Sequence, residues 1–206
     1  NIPTHYIMRE FPNIYEFDND GVGKYISSDF KDLRPKSAHF SQGKEGYWYY
    51  YDEYGQPGVG AETIDGYDMY FHFGTRRQAK GEFVDVNGKV YYFDKDNGRK
   101  VKDTTFDING KTYVADQSGV LSIKSQSTER NRYISDSEGN WYYVNGKGDL
   151  LLGAQTIDNV KVYFDTKGVQ YKGHFAPDHH YYDKDTGALV TDRLVKDGSK
   201  ESYVDK

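Results

Sequence analysis

The sequence predicts an all-β fold, a β-solenoid of consecutive short β-hairpin repeats. Three observations predict it. First, the apolar residues are aromatic rather than aliphatic. Hydrophobic residues make up 36% of the 206, and the aromatics alone (21 Tyr, 11 Phe and 2 Trp) account for 17%. Burial must then come from stacked rings, with each Tyr also offering a hydroxyl. Second, the 22 Gly residues are spread along the whole chain, which reads as regular turn punctuation and not as one linker. Third, similar aromatic strings recur about every twenty residues, the spacing of a repeat array.

The repeats are long-range as well as short-range. A segment from Tyr47 to about Asp103 aligns with one from Asn140 to about Asp192. Trp48 matches Trp141 and Ile64 matches Ile157, both 93 residues apart, while Lys80-Gly81 matches Lys172-Gly173 at 92 and Gly98 matches Gly187 at 89. The drift places the length changes in turns. Each long segment divides into three units. The first is YWYYYDEYGQPGVGAETIDG (47–66) and NWYYVNGKGDLLLGAQTIDN (140–159). The second is YDMYFHFGTRRQAKGEFVDVNG (67–88) and VKVYFDTKGVQYKGHFAPD (160–178). The third is KVYYFDKDNGRKVKDTTFDING (89–110) and HHYYDKDTGALVTDRLVKDG (179–198). Each unit reads as an aromatic strand, a Gly-containing turn and a second strand.

Taken in order, residues 1–44 are atypical. They contain one hairpin around Tyr15–Ile26, with the turn Asp18-Asn19-Asp20-Gly21, and the rest caps the array or joins a neighbouring domain. Residues 45–198 hold the repeats, with cassettes at 45–110 and 140–198. In Tyr47–Asp52, alternation puts Trp48 and Tyr50 on one face and Tyr47, Tyr49 and Tyr51 on the other. Tyr, Phe, Val and Thr favour strands, and Asp-Asn-Gly at 96–98 and Asp-Thr-Gly at 185–187 supply reversals. Residues 111–139 form a degenerate repeat (KTYVADQSGVLSIKS) followed by a polar connector, Gln126–Arg132. Residues 199–206 (SKESYVDK) begin a further repeat. A lone hairpin is marginal in water, so the hairpins must stack and share their aromatic faces.

Charge and composition exclude several functions. Net charge is −5, with 27 basic and 32 acidic residues interspersed. No basic block marks a nucleic-acid footprint, and no apolar run approaches the length of a membrane span. The absence of Cys removes disulfides and thiolate metal sites. No secretory leader is visible, and the start at Asn1 predicts a piece of a longer protein.

The string W-Y-Y-aromatic-D, then G-A-x-T-I, an aromatic pair, Q-x-K-G-x-F and Y-Y-D-x-D-x-G resembles the glucan-binding repeats of glucansucrases, extracellular bacterial enzymes that build dextran-type α-glucans. It is more distantly similar to choline-binding cell-wall repeats. The resemblance covers roughly residues 45–198 and implies one sugar pocket in each cassette. It implies an aromatic platform with the Gln and Lys of Q-x-K on the sugar hydroxyls: Gln78 and Lys80 in the first copy, Gln170 and Lys172 in the second. The aromatic partners it implies are Trp48, Tyr50 and Tyr92, and Trp141, Tyr143 and Tyr182. The second copy departs from the first at Val144-Asn145, where Tyr51-Asp52 stand, and at His179-His180 before its Tyr pair. The unit at 111–125 lacks Q-x-K, so no comparable pocket is expected there.

These residue types suit a sugar. A ring matches the apolar C–H face of a pyranose, Gln both donates and accepts, and Lys donates only. The expected function is a non-catalytic module that holds α-glucan or isomalto-oligosaccharides, extracellular and covalently linked to a catalytic domain, without cofactor, metal, nucleic acid or membrane insertion. The alternatives are a wall-attachment module for choline or another wall polymer and a structural spacer. A choline cage needs several Trp around the cation, and only Trp48 and Trp141 exist. Asp94–Gly98 and Asp183–Gly187 resemble the start of a calcium loop, but Thr105 and Leu194 stand where its twelfth-position Glu belongs. His174, His179 and His180 lack a spaced ligand set. The carboxylates fall in turns, and no acid–base pair stands out.

Overall fold

The computed structural model describes residues 6–10, 13–17, 23–27, 38–198 and 200–204. Among them every regular element is a strand, and all pairings are antiparallel, between consecutive strands except Leu121–Lys124 with Asp149–Leu150. The all-β array of hairpins is therefore as the sequence predicts. No helix among the described residues is long and apolar enough to cross a membrane. Contacts divide the chain into two compact units, residues 1–80 with 96–99, and residues 81–95 with 100–206.

In the first unit, β1 (Tyr6–Glu10), β2 (Asn13–Phe17) and β3 (Gly23–Ser27) form one antiparallel sheet. The expected N-terminal hairpin is β2 with β3; its turn, Asp18 to Gly21, lies outside the described residues. Next, β4 (His39–Gln42) pairs with β5 (Trp48–Tyr51), and β6 (Gly60–Ile64) with β7 (Tyr67–Phe71). The core is small and aromatic. Phe71 is fully buried beside Ile64 and Met69, and Phe40 and Tyr50 pack against them.

In the second unit, β8 (Glu82–Val86) pairs with β9 (Lys89–Phe93). The strands β10 (Thr104–Ile108), β11 (Lys111–Ala115), β12 (Leu121–Lys124), β13 (Arg132–Ser135), β14 (Trp141–Val144) and β15 (Asp149–Leu150) form one sheet in the order 10-11-12-15-14-13. Three further pairs follow: β16 (Gly153–Ile157) with β17 (Val160–Phe164), β18 (His174–Phe175) with β19 (Tyr181–Tyr182), and β20 (Arg193–Asp197) with β21 (Lys200–Val204). The degenerate repeat at 111–125 lies within the six-stranded sheet and supplies much of the largest core cluster: Tyr113, Ala115, Leu121 and Ile123 pack with Val90, Val144, Leu150 and Leu152. Its irregularity as a repeat reflects aliphatic side chains that fill this core. Tyr163, 1% exposed, donates its hydroxyl to Asp85 Oδ2 at 2.5 Å, tying β17 to β8.

The pairing phase differs from the sequence expectation. Apart from β14, which makes a one-residue pairing with β15, the aromatic strand of each twenty-residue unit is not the hairpin partner of the strand that follows it. The tight hairpins instead straddle the unit boundaries, at Asp65-Gly66, Asn87-Gly88, Asn109-Gly110 and Asp158-Asn159. Both residues of each turn have positive φ, the two-residue geometry whose twist matches the flanking strands. The turns at 94–98 and 183–187 do reverse the chain, but into single bridges, Phe93 to Lys100 and Tyr182 to Leu189.

A second local device recurs. The Asp or Asn after an aromatic strand turns its carboxylate or amide oxygen back onto the backbone. Asp52 Oδ1 accepts from the N–H of Tyr54 and Gln56 at 2.8 Å each, and Asp116, Asp136, Asn145 and Asp165 repeat the pattern two and four residues on. This is the side-chain mimicry of a backbone turn that suits Asx residues.

Candidate functional site

The first site is built outward from Gln78. After β7 the chain loops through 72–77 and returns as a single bridge from Phe71 to Gln78. The Gln78 N–H then donates to Trp48 O at 2.7 Å, and Ala79 N–H to Tyr70 O at 2.8 Å. Those two bonds seat Q-x-K beside the Trp strand. Gln78 is 4% exposed, and its Nε2 reaches Asn97 O at 3.3 Å and Met69 Sδ at 3.2 Å. Lys80, two residues on, projects its ammonium over the Trp48 ring, 5.5 Å from the centroid. A cavity of about 340 Å³ opens here, lined among others by Trp48, Tyr67, Gln78, Lys80, Asn97 and Arg99. That volume is at the lower end for small-molecule sites.

The second site repeats this frame. Phe164 bridges to Gln170, whose N–H donates to Trp141 O at 2.8 Å. Gln170 is 7% exposed, and its Nε2 donates to Thr186 O at 3.3 Å. Lys172 Nζ lies 5.3 Å from the Trp141 ring centroid and donates to Asp185 O at 3.1 Å. In both sites a glycine is obligatory in the turn beneath the Gln. Gly98 and Gly187 each have φ +71°, and a Cβ at either would lie 2.3 Å from the Gln Nε2. Asn145, which replaces Asp52, makes the same turn bonds, so that departure leaves the second frame intact.

The structure thus brings together Trp48, Gln78 and Lys80, and likewise Trp141, Gln170 and Lys172. The other four expected residues are packed elsewhere. Tyr50 lies against Phe40 and Phe71, with ring centroids 5.0 and 6.2 Å away. Tyr143 packs on Tyr133 at 5.0 Å. Tyr92 belongs to the second unit, where it stacks on Phe106 and packs at a tilt against Phe83. Tyr182 is 2% exposed and donates to Asp178 Oδ2 at 2.7 Å. Burial, and then the Asp178 carboxylate, push its phenol far above the ordinary value.

Two rim residues of the first site escaped the sequence reading. Tyr67 lines the cavity, and Arg99 lies over its ring with Cζ 3.3 Å from the centroid. At matched positions the second site has Val160 and Ala188. Of the histidines, His174 packs edge-on to Tyr171 at 4.7 Å, and His180 Nδ1 lies 3.3 Å from Asp178 Oδ2. Asp183 Oδ1 accepts from the N–H of Asp185 and from Thr186 N–H and Oγ1–H. Those bonds, led by the Thr186 N–H, lower its carboxyl to about 2.

The choline-binding repeat family matches residues 59–106 and 151–194, spans that include both Q-x-K motifs. The chain is 32% identical over 160 residues to glucosyltransferase-S of Streptococcus mutans, a match covering 76% of this chain and 9% of that protein. It is 30% identical over 207 aligned positions to glucosyltransferase-I of Streptococcus downei, covering 93% of this chain and 11% of that one. The chain therefore spans about a tenth of the length of these curated relatives. Among solved structures, alternansucrase in complex with isomaltononaose is 25% identical, with 93% of this chain and 19% of that one covered and a TM-score of 0.37. Over residues 59–106 and 151–194 the chain carries repeats of the choline-binding type, and its sequence is similar to part of the streptococcal glucosyltransferases.

Proposed function

We propose that the chain is a non-catalytic α-glucan-binding module with two sites, one at Trp48, Gln78 and Lys80 and one at Trp141, Gln170 and Lys172. One observation carries the choice of ligand. Each Trp ring already has a lysine ammonium near it, at 5.5 and 5.3 Å. A quaternary ammonium such as choline needs that electronegative face for itself and would meet a like charge there. What the sites offer instead is an apolar ring edged by hydrogen-bond donors, the chemistry of a neutral pyranose. The buried Gln carboxamides brace the turn beneath the site, and the Lys faces the ligand.

The expected affinity is modest. A stacked ring contributes roughly 1–3 kcal/mol, and each neutral hydrogen bond nets about 0.5–1.5 kcal/mol. Less the cost of association, this gives a Kd of roughly millimolar to tens of micromolar per site. A polymer that engages both sites gains avidity. We place the module outside the cell, as an accessory part of a larger glucansucrase-type enzyme, where holding glucan near the catalytic domain is useful. Affinity electrophoresis through dextran-containing gels tests the reading. Retardation is expected, and choline should not relieve it. Unchanged mobility of a protein shown by circular dichroism to be folded would sink the proposal.

A further inference from the structure

The two sites share their backbone frame but not their lining: Phe40, Tyr67, Met69, Asn97 and Arg99 correspond to Tyr133, Val160, Val162, Thr186 and Ala188, and the largest changes at exposed positions are those at Tyr67 and Arg99. Tyr67 and Val160 occupy the same register position, opposite Ile64 and Ile157 in their hairpins. Arg99 and Ala188 each follow the glycine of the turn beneath the Gln. Exposure does not separate the first pair, since Tyr67 is 42% and Val160 44% exposed. Only the chemistry presented to solvent differs.

We propose that Tyr67 and Arg99 set the affinity of the first site and make it the tighter of the two for α-glucan. The inference rests on the glucan reading above. Its physical basis is a prepared donor. The Arg99 guanidinium sits over the Tyr67 ring, with Cζ 3.3 Å from the centroid, and its backbone N–H is held by Asn97 Oδ1 at 2.8 Å. A free arginine loses much rotamer freedom when a ligand fixes it; here the stack has already removed part of that freedom. A stacked guanidinium keeps its N–H groups in its own plane, pointing outward past the ring edge. Both residues line the same cavity as Trp48 and Lys80. A sugar seated there meets a second aromatic surface and a fork of donors suited to hydroxyl and glycosidic oxygens. Val160 and Ala188 offer neither.

The test uses the full chain and isomaltononaose, titrated calorimetrically. Trp141→Ala with Lys172→Ala leaves only the first site, and Trp48→Ala with Lys80→Ala leaves only the second. Adding Tyr67→Val and Arg99→Ala to the first-site protein should weaken binding roughly tenfold or more, about the loss expected from one stacked ring alone. The reciprocal graft, Val160→Tyr with Ala188→Arg in the second-site protein, should tighten binding by a similar factor, and it keeps the test sharp if the deletion misfolds. Affinities that stay within about twofold in both experiments overturn this inference and leave the glucan reading standing. Failure of the first-site protein to bind isomaltononaose at all overturns both.

Discussion

Gln78 and Gln170 sit in frames that share their backbone contacts, while the rims around them differ. The reason lies in which atoms make the frame. Each Gln amide donates to a turn carbonyl of the backbone, so Asn97 and Thr186 serve equally well. Each Gln N–H donates to the backbone of a Trp strand. Asp52 and Asn145 both use Oδ1, the oxygen that carboxylate and amide share. A frame made of backbone groups tolerates side-chain change. The rim supports nothing, so Tyr67 and Arg99 can give way to Val160 and Ala188 without cost to the fold.

The comparison is broken most severely at the glycines. Gly98→Ala and Gly187→Ala each force a Cβ to 2.3 Å from the Gln amide at positive φ. Each should cost about 2 kcal/mol or more in urea unfolding and abolish binding at its own site. Equal losses confirm a common frame, and a loss at one position only would refute it. Next in size is Gln78→Leu against Gln170→Leu. Each keeps the volume but removes a donor to the turn, and about 1 kcal/mol should go from each.

Acid should act on the second frame through Asp183. Its carboxyl is held at about 2, below its ordinary 3.8, first by the Thr186 N–H. A depressed carboxyl stabilises the fold above the unfolded value and loses that contribution as pH falls through the folded one. The Thr186 amide resonance should therefore titrate between pH of about 4 and about 2, with its midpoint near the lower end; a midpoint near 4 would count against these turn bonds. The smallest effect is expected from Asn145→Asp, which keeps the Oδ1 acceptor and should shift stability by less than about 0.5 kcal/mol.

Much of the fold was legible because its signals are local. Alternating aromatics marked β5, and Asp-Asn-Gly at 96–98 and Asp-Thr-Gly at 185–187 marked places where the chain reverses. The hairpin phase was not legible from repeat boundaries drawn at the aromatic strings. A unit of sequence and a unit of hydrogen bonding need not coincide, and the positive-φ pairs such as Asp65-Gly66 were the better guide to pairing. At the sites, Trp48 with Gln78 and Lys80 could be read from the motif. Alternation put Tyr50 on the same face as Trp48, but one strand face can be part core and part rim, and Phe71 claims Tyr50. Arg99 was missed because it has no motif; its role comes from the turn that carries it to Tyr67, which no local pattern announces.

The Tyr163–Asp85 bond has a kinetic consequence. Hairpins close between sequence neighbours, which makes them fast local events. This bond joins residues 78 positions apart, and Tyr113 donating to Thr166 O spans 53. Such contacts wait until the intervening hairpins exist, and we place them after the rate-limiting step. Tyr163→Phe should accordingly leave refolding nearly unchanged and accelerate unfolding roughly tenfold. Slowed refolding in stopped-flow experiments would place the bond in the nucleus instead. With refolding unchanged, the tyrosine acts as a clasp on an assembled array, lengthening its lifetime without hastening its birth.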